Sequence, residues 1–280
     1  MSNVLEQTVE RCLGLNPLQV DEKIEAIAIG GSVARHEQDP FSDLDLFVFL
    51  SESLDEPAMT SAVRSLATRL GHVVLFRGPR WIDGFGYSYS AMYEPLFVCQ
   101  FNVNDRKTFG PHPMRTQGQI TCFDKSGYFS SRMSESEEVP LDHARLFLDC
   151  FALFWFRAIS VWSSVMRGQL WFAIEHLADM RDQMFVLIRL EARRPPPGLN
   201  FRLPSKSFEN DFGGALASEL AVSLSEYSAE SVGRALTYAM NWFVEHAVAY
   251  ARQEGLEFEE QATVAREIRG EIARRMGRPR

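Results

Sequence analysis

Residues 26–50 read AIAIGGSVARHEQDPFSDLDLFVFL. An apolar run ends in Gly30-Gly31-Ser32, a polar turn follows, and Ser42-Asp43-Leu44-Asp45 opens a second apolar run, Leu46 to Leu50. Two short apolar runs bounded by glycine and turn residues predict buried strands. Alternate side chains of a strand share a face, so Asp43 and Asp45 point one way while Leu44 and Leu46 point into the core. Two carboxylates on one face repel each other unless a cation sits between them. Mg²⁺ takes oxygen ligands, commonly one or two carboxylates plus substrate phosphates. Gly30, Gly31 and Ser32 bring backbone N–H groups and a hydroxyl within reach of phosphate oxygens, because glycine permits close approach. Arg35 adds a cation beside that loop, and Ser42 opens the acidic motif as a further polar candidate. His36, in the same turn, reads as a surface residue. Glycine pairs and Asp-x-Asp steps are each common at turns. Their combination between two apolar strands is much more specific and predicts one site: a phosphate cradle beside a metal-binding acid pair.

These residues resemble a known family. GGSVAR and SDLDLFVF are similar to the signature of the polymerase-β-like nucleotidyltransferases. Arg167-Gly168-Gln169, Ala173-Ile174-Glu175-His176-Leu177 and Leu187-Ile188-Arg189-Leu190, with the aromatic run Phe147 to Trp162 before them, resemble the helical C-terminal domain of two-domain lincosamide nucleotidyltransferases. The likeness covers most of residues 20–195 and is nearest to the lincosamide and aminoglycoside enzymes. It implies an α+β protein: an N-terminal nucleotidyltransferase domain, a mixed sheet flanked by helices, followed by a helical substrate-binding bundle. It further implies transfer of a nucleoside monophosphate, AMP from ATP, to a hydroxyl of a small molecule such as a lincosamide or aminoglycoside, and so antibiotic resistance. Mg²⁺ on Asp43 and Asp45 is the implied cofactor, and ATP or another nucleoside triphosphate the co-substrate.

The family usually places a third carboxylate on a strand beside the acid pair, and alignment of the apolar residues puts Gln100 there. An amide is a weak metal ligand and cannot accept a proton as a general base. Asp105, five residues on, reaches the site only through a bulge or a strand end, and Glu94 is a weaker choice. Some superfamily members take the base from the helical domain, and Glu175 lies in the stretch that carries the resemblance. Glu175 and Asp105 are therefore the two candidate bases. Two other readings stay open: a nucleotide-binding protein that has kept the fold without turnover, and transfer to hydroxyls of protein or RNA.

The chain has 280 residues, enough for one large or two modest domains. The change from mixed elements to long helices puts the boundary at residues 1–140 and 141–280. A formal net charge of −8 argues against a nucleic-acid partner and suits a cationic small molecule. Cys12, Cys99, Cys122 and Cys150 form neither a zinc nor a disulfide pattern. No basic-then-apolar leader and no uninterrupted apolar run of ~18 residues is visible. The expectation is a cytoplasmic protein without a membrane partner; a homodimer stays open.

Periodicity predicts helices over 3–14 and 55–70, the latter capped by Ser53 or Asp55, and strands over 72–76 and 95–103. Gly78-Pro79 and Asp83-Gly84 read as loops around Trp81-Ile82, and 104–140 as a poorly periodic connection. Helices are predicted over 141–166, 169–193, 215–224 and 228–254, the last with an N-cap at Ser228, and in a charged tail over 260–276. On the second of these, Glu175, Asp179 and Asp182 form an acidic stripe. Arg202 and Lys206, in the loop that follows, are lesser triphosphate candidates.

Overall fold

Ile24, Ile27 and Ile29 are fully buried in a six-stranded sheet, the element around which residues 1–141 fold. The computed structural model describes residues 2–82, 86–94, 97–109, 118–137, 142–195 and 203–276. Asp83-Gly84, Pro95 at the start of the expected strand 95–103, and Arg202 lie outside the described residues. The chain divides into two compact units, Met1–Leu141 and Asp142–Arg280.

In the first unit the elements run α1 (Ser2–Leu13), β1 (Ile24–Ile29), α2 (Gly31–Ala34), β2 (Leu44–Leu50), α3 (Glu56–Leu70), β3 (Val73–Ile82), β4 (Gly86–Tyr93), β5 (Phe97–Asn104), β6 (Ile120–Asp124) and α4 (Tyr128–Glu137). The sheet order is β3-β4-β5-β2-β1-β6. β2 pairs parallel with β5, and the other neighbouring pairs are antiparallel, so the sheet is mixed. Leu44, Leu46, Val48 and Leu50 on β2 join Cys99, Phe101 and Val103 on β5 and Val63, Leu66 and Leu70 on α3 in the main core. The opposite face of β1 and β2 is covered lower down by a small cluster of Ala26, Ala28, Phe47, Phe49, Phe109 and Phe129. Asp55, rather than Ser53, caps α3 by accepting from the Ala58 N–H at 2.9 Å.

Three sequence expectations change here. β3 does not stop at Phe76 but continues through a register shift between Arg77 and Arg80 to Ile82. β4 was not foreseen: GYSYSAMY reads as a weak apolar run, yet it alternates with period two, with Tyr89, Ala91 and Tyr93 on the core and Ser88 and Ser90 on the other face. The 104–140 connection contains β6, which completes the sheet against β1, and α4, which carries Phe129 into the small cluster. Short elements with one buried residue per turn leave almost no periodic signal.

The second unit is helical: α5 (His143–Met166), α6 (Leu170–Glu191), α7 (Phe208–Phe212), α8 (Gly214–Leu220), α9 (Ala229–Gln253) and α10 (Glu259–Met276). The expected helix over 215–224 is shorter, with a single 3₁₀ turn at Ala221–Ser223, and α7 precedes it. Asp142 and Ser228 cap α5 and α9. The core is aromatic; Phe154 of α5 and Phe243 of α9 stack at 3.7 Å between ring centroids. Among the described residues, α5 alone is long and apolar enough to cross a membrane, and its Phe147, Phe151, Phe154, Ala158 and Val161 lie in this core. Arg189 on α6 is fully buried. Its guanidinium donates to the Pro204 carbonyl at 2.6 Å, the Lys206 carbonyl at 2.7 Å and Asp211 Oδ2 at 2.8 Å, closing the α6–α7 loop.

Candidate active site

Asp43 and Asp45 flank Leu44, which is fully buried, and both are half-buried on the face of β2 turned away from the main core. Gln100 ties the two together. Its Cα is the register partner of Asp45 across the parallel β2–β5 pair, and its Nε2 donates to Asp43 Oδ2 at 2.8 Å. The position where the sequence led one to expect a third carboxylate is thus beside the pair, and an amide donor occupies it. The donated hydrogen bond fixes the orientation of the Asp43 carboxylate. Beneath them the Cys99 thiol is pushed well up, first by burial, then by Cys12 and the two aspartates.

The glycine bend abuts the same pair. The Gly30 N–H donates to the Asp45 carbonyl at 2.8 Å. Gly31 has φ +64, and a Cβ built there would stand 2.1 Å from Asp45 Oδ2. A residue with a side chain would displace the carboxylate, so both its backbone angle and its contact with Asp45 require glycine. Ser32 follows at the first turn of α2, whose opening N–H groups have no partner inside the helix. Arg35 closes α2, but its Nε is paired with Glu37 at 2.8 Å, which offsets much of the charge it offers a phosphate.

Two sequence candidates are corrected. The Ser42 hydroxyl closes the preceding turn, donating to Asp39 Oδ1 at 3.0 Å and accepting from the Asp39 N–H at 2.9 Å. Asp105 stands past the far end of β5, five residues or roughly 17 Å along the strand from Gln100. There it accepts from the Lys107 and Thr108 N–H groups at 2.8 Å. Burial pulls its pKa up, but hydrogen bonds from Ser53, Thr108 and Lys107 outweigh that and hold it below the ordinary carboxylate range. Its carboxylate holds the turn that follows β5. Glu94 is exposed in the turn after β4.

In the helical unit Glu175 is exposed on α6 and has no ion pair among the described residues. The acidic stripe is partly used: Asp179 pairs with Arg157 Nε at 2.9 Å, whereas Asp182 has its pKa raised, first by burial and then by Asp179. Lys206 is exposed, with its carbonyl held by Arg189.

Among the described residues no group of three or more His, Cys, Asp or Glu side chains is placed to hold a metal. A two-carboxylate site still fits Mg²⁺, which commonly completes its shell with substrate phosphates and water.

A family model for streptomycin adenylyltransferase matches residues 13–269. The chain belongs to this family. It is therefore a transferase of the nucleotidyltransferase kind, with a nucleotide as co-substrate. Among solved structures, the crystal structure of an aminoglycoside 6-adenyltransferase from Bacillus subtilis is similar over 96% of this chain and 97% of that one, at 14% identity and a TM-score of 0.41. No curated protein sequence matches the chain. For this transferase, Gln100 is the residue whose place the sequence foresaw and whose partner it did not.

Proposed function

We propose that the chain transfers AMP from ATP to a hydroxyl of a small molecule, in the cytoplasm, with lincosamide and aminoglycoside antibiotics as the first acceptors to test. The observation that carries this is the Gly31 bend pressed against Asp45 while Gln100 joins Asp45 to Asp43. The family name supports an antibiotic acceptor.

In this reading Asp43 and Asp45 would hold Mg²⁺, which supplies positive charge to the triphosphate. Gly31 and Ser32 hold the β- and γ-phosphates through backbone N–H groups and the hydroxyl. Gln100 keeps Asp43 oriented. The acceptor oxygen bonds to the α-phosphorus as the bond to the bridging β-oxygen breaks, and pyrophosphate leaves. The hydroxyl proton goes to a carboxylate base. Gln100 cannot take it.

Incubation with α-labelled ATP, Mg²⁺ and a panel of lincosamides and aminoglycosides tests the reading. Asp43→Asn is expected to lower transfer by about a thousandfold or more while the melting temperature stays put. Pyrophosphate release retained in that variant would sink the assigned role. A second reading draws on the amide at position 100: the fold binds nucleotide without turnover. Nucleotide binding with no product from any acceptor would favour it.

A further inference from the structure

Gln100 closes one side of the acid pair, and the residues beyond it decide how many cations the pair can serve. Register sets Ser90 beside Gln100, and Ser88 beside Asn102 one step along the strands. The alternate residues Tyr89, Ala91, Cys99 and Phe101 are buried in the main core, so these four polar side chains share the opposite face with Asp45. All four are half-buried, and none carries a charge. β4 and β5, GYSYSAMY and FVCQFNVN, contain no acidic residue at all. The carboxylates that flank them in sequence stand outside both strands. Glu94 is exposed in the turn after β4, and Asp105 is held by the Lys107 and Thr108 N–H groups in the turn after β5. On the β5 side of the pair, one oxygen of Asp43 is thus taken by an amide donor, and only neutral groups follow.

We propose that Gln100 limits this site to a single divalent cation, the one that arrives on the triphosphate, and that the acceptor hydroxyl enters with no metal of its own. This rests on the transfer reading given above. Sites that hold two ions set them about 3.5–4 Å apart, one beside the entering oxygen and one beside the leaving oxygen. Two dications at that spacing repel strongly, so each needs anionic oxygens beyond those the two share. On the leaving side the phosphates supply them. On the entering side the ligand would have to come from β5, and Gln100 fails there in two ways. Its Nε2–H takes up Asp43 Oδ2, an oxygen that a second ion would have to share. The planar amide that aims Nε2 at Asp43 also turns Oε1 away from it, and that oxygen carries no full negative charge. Ser90 and Asn102, its neighbours on the face, are neutral as well. An orienting partner for Asp43 is a sufficient reason for a donor at position 100. The same donor excludes the charge a second ion requires, so orientation of the pair and its restriction to one ion come from one side chain. The consequence for the reaction is that no metal acidifies the attacking hydroxyl, and its proton is left to the carboxylate base alone.

The test counts ions directly, with Mn²⁺ in place of Mg²⁺. The full chain is saturated with the α,β-methylene analogue of ATP, which cannot release pyrophosphate, and titrated with Mn²⁺ while electron paramagnetic resonance reads the free ion. Equilibrium dialysis gives the analogue bound in the same samples. The wild-type chain is expected to take up one Mn²⁺ per bound analogue. Gln100→Glu, which keeps the length of the side chain and replaces the donor by a carboxylate, should take up two, with the same amount of analogue bound. Two ions in the wild type would overturn the inference. So would a single ion in a folded Gln100→Glu that still binds the analogue, because residue 100 would then not set the count. Where Gln100→Glu does not fold, the wild-type count decides by itself. Failure of the wild-type chain to bind the analogue at all would instead remove the transfer reading beneath it.

Discussion

On the sheet, the polar side chains that share a face with Asp45 are drawn from separate strands, with Gln100 from β5 and Ser90 from β4 half-buried and Arg77 from β3 exposed. In the helical unit the largest fully buried side chain, Arg189, is fully consumed by the carbonyls of Pro204 and Lys206 and by Asp211, all within 22 residues of it. A charge taken out of water must be matched completely or it destabilises the fold, so Arg189 has become structural. A half-buried group on an open strand face keeps bonding capacity that a substrate can use. The contrast separates residues that hold the protein together from residues that are left able to act.

The sharpest way to break this contrast is at Gly31. Gly31→Val places a branched side chain where Asp45 Oδ2 lies and forces a positive φ on a β-branched residue. Transfer should fall by about a thousandfold or more, because the carboxylate is displaced. Wild-type rates in this variant would mean that the bend and the acid pair work separately. Next comes Arg189→Met, which leaves Asp211 and two carbonyls without their buried partner. Chemical denaturation should show a loss of about 3–5 kcal/mol. A loss under 1 kcal/mol would place Arg189 among ordinary surface ion pairs.

Gln100→Leu keeps the shape and removes the donor to Asp43. A hydrogen bond to a charged group contributes about 1.5–3 kcal/mol, so affinity for ATP in Mg²⁺ should weaken by about tenfold or more with little change in melting temperature. Unchanged affinity would show that Asp43 needs no orienting partner.

The smallest effect belongs to Asp182. Its pKa is raised, first by burial and then by Asp179, against the pull of Arg181. The unfolded chain ionises this group at lower pH than the folded one. Its favourable contribution is therefore present below the unfolded aspartate range and is lost as pH rises through the raised value. At pH 7 the ionised, half-buried carboxylate is a slight burden. Asp182→Asn should raise the melting temperature by about 1–2 °C there, with the gain vanishing below about pH 4. A variant equally stable at every pH would remove Asp182 from the set of strained carboxylates.

Much of this was legible in the sequence. The two-residue period of SDLDLFVF placed Asp43 and Asp45 opposite Leu44 and Leu46, and the three- to four-residue period of residues 141–276 announced the helical unit. Both are local properties of backbone geometry. Even the position of Gln100 followed from lining up the apolar residues of β5. What Gln100 does there was decided by the tertiary structure, because the parallel pairing of β2 and β5 joins residues 57 apart in the chain. Ser42 and Asp105 were lesser candidates on paper. Folding gave their oxygens to nearby backbone donors, and for Asp105 also to Ser53, a competition that pattern alone does not reveal. The polar row from Asp45 through Gln100 to Ser90 was invisible for the same reason. Strand order is set by which apolar faces bury one another, and the polar residues on the reverse side are carried into line by that burial.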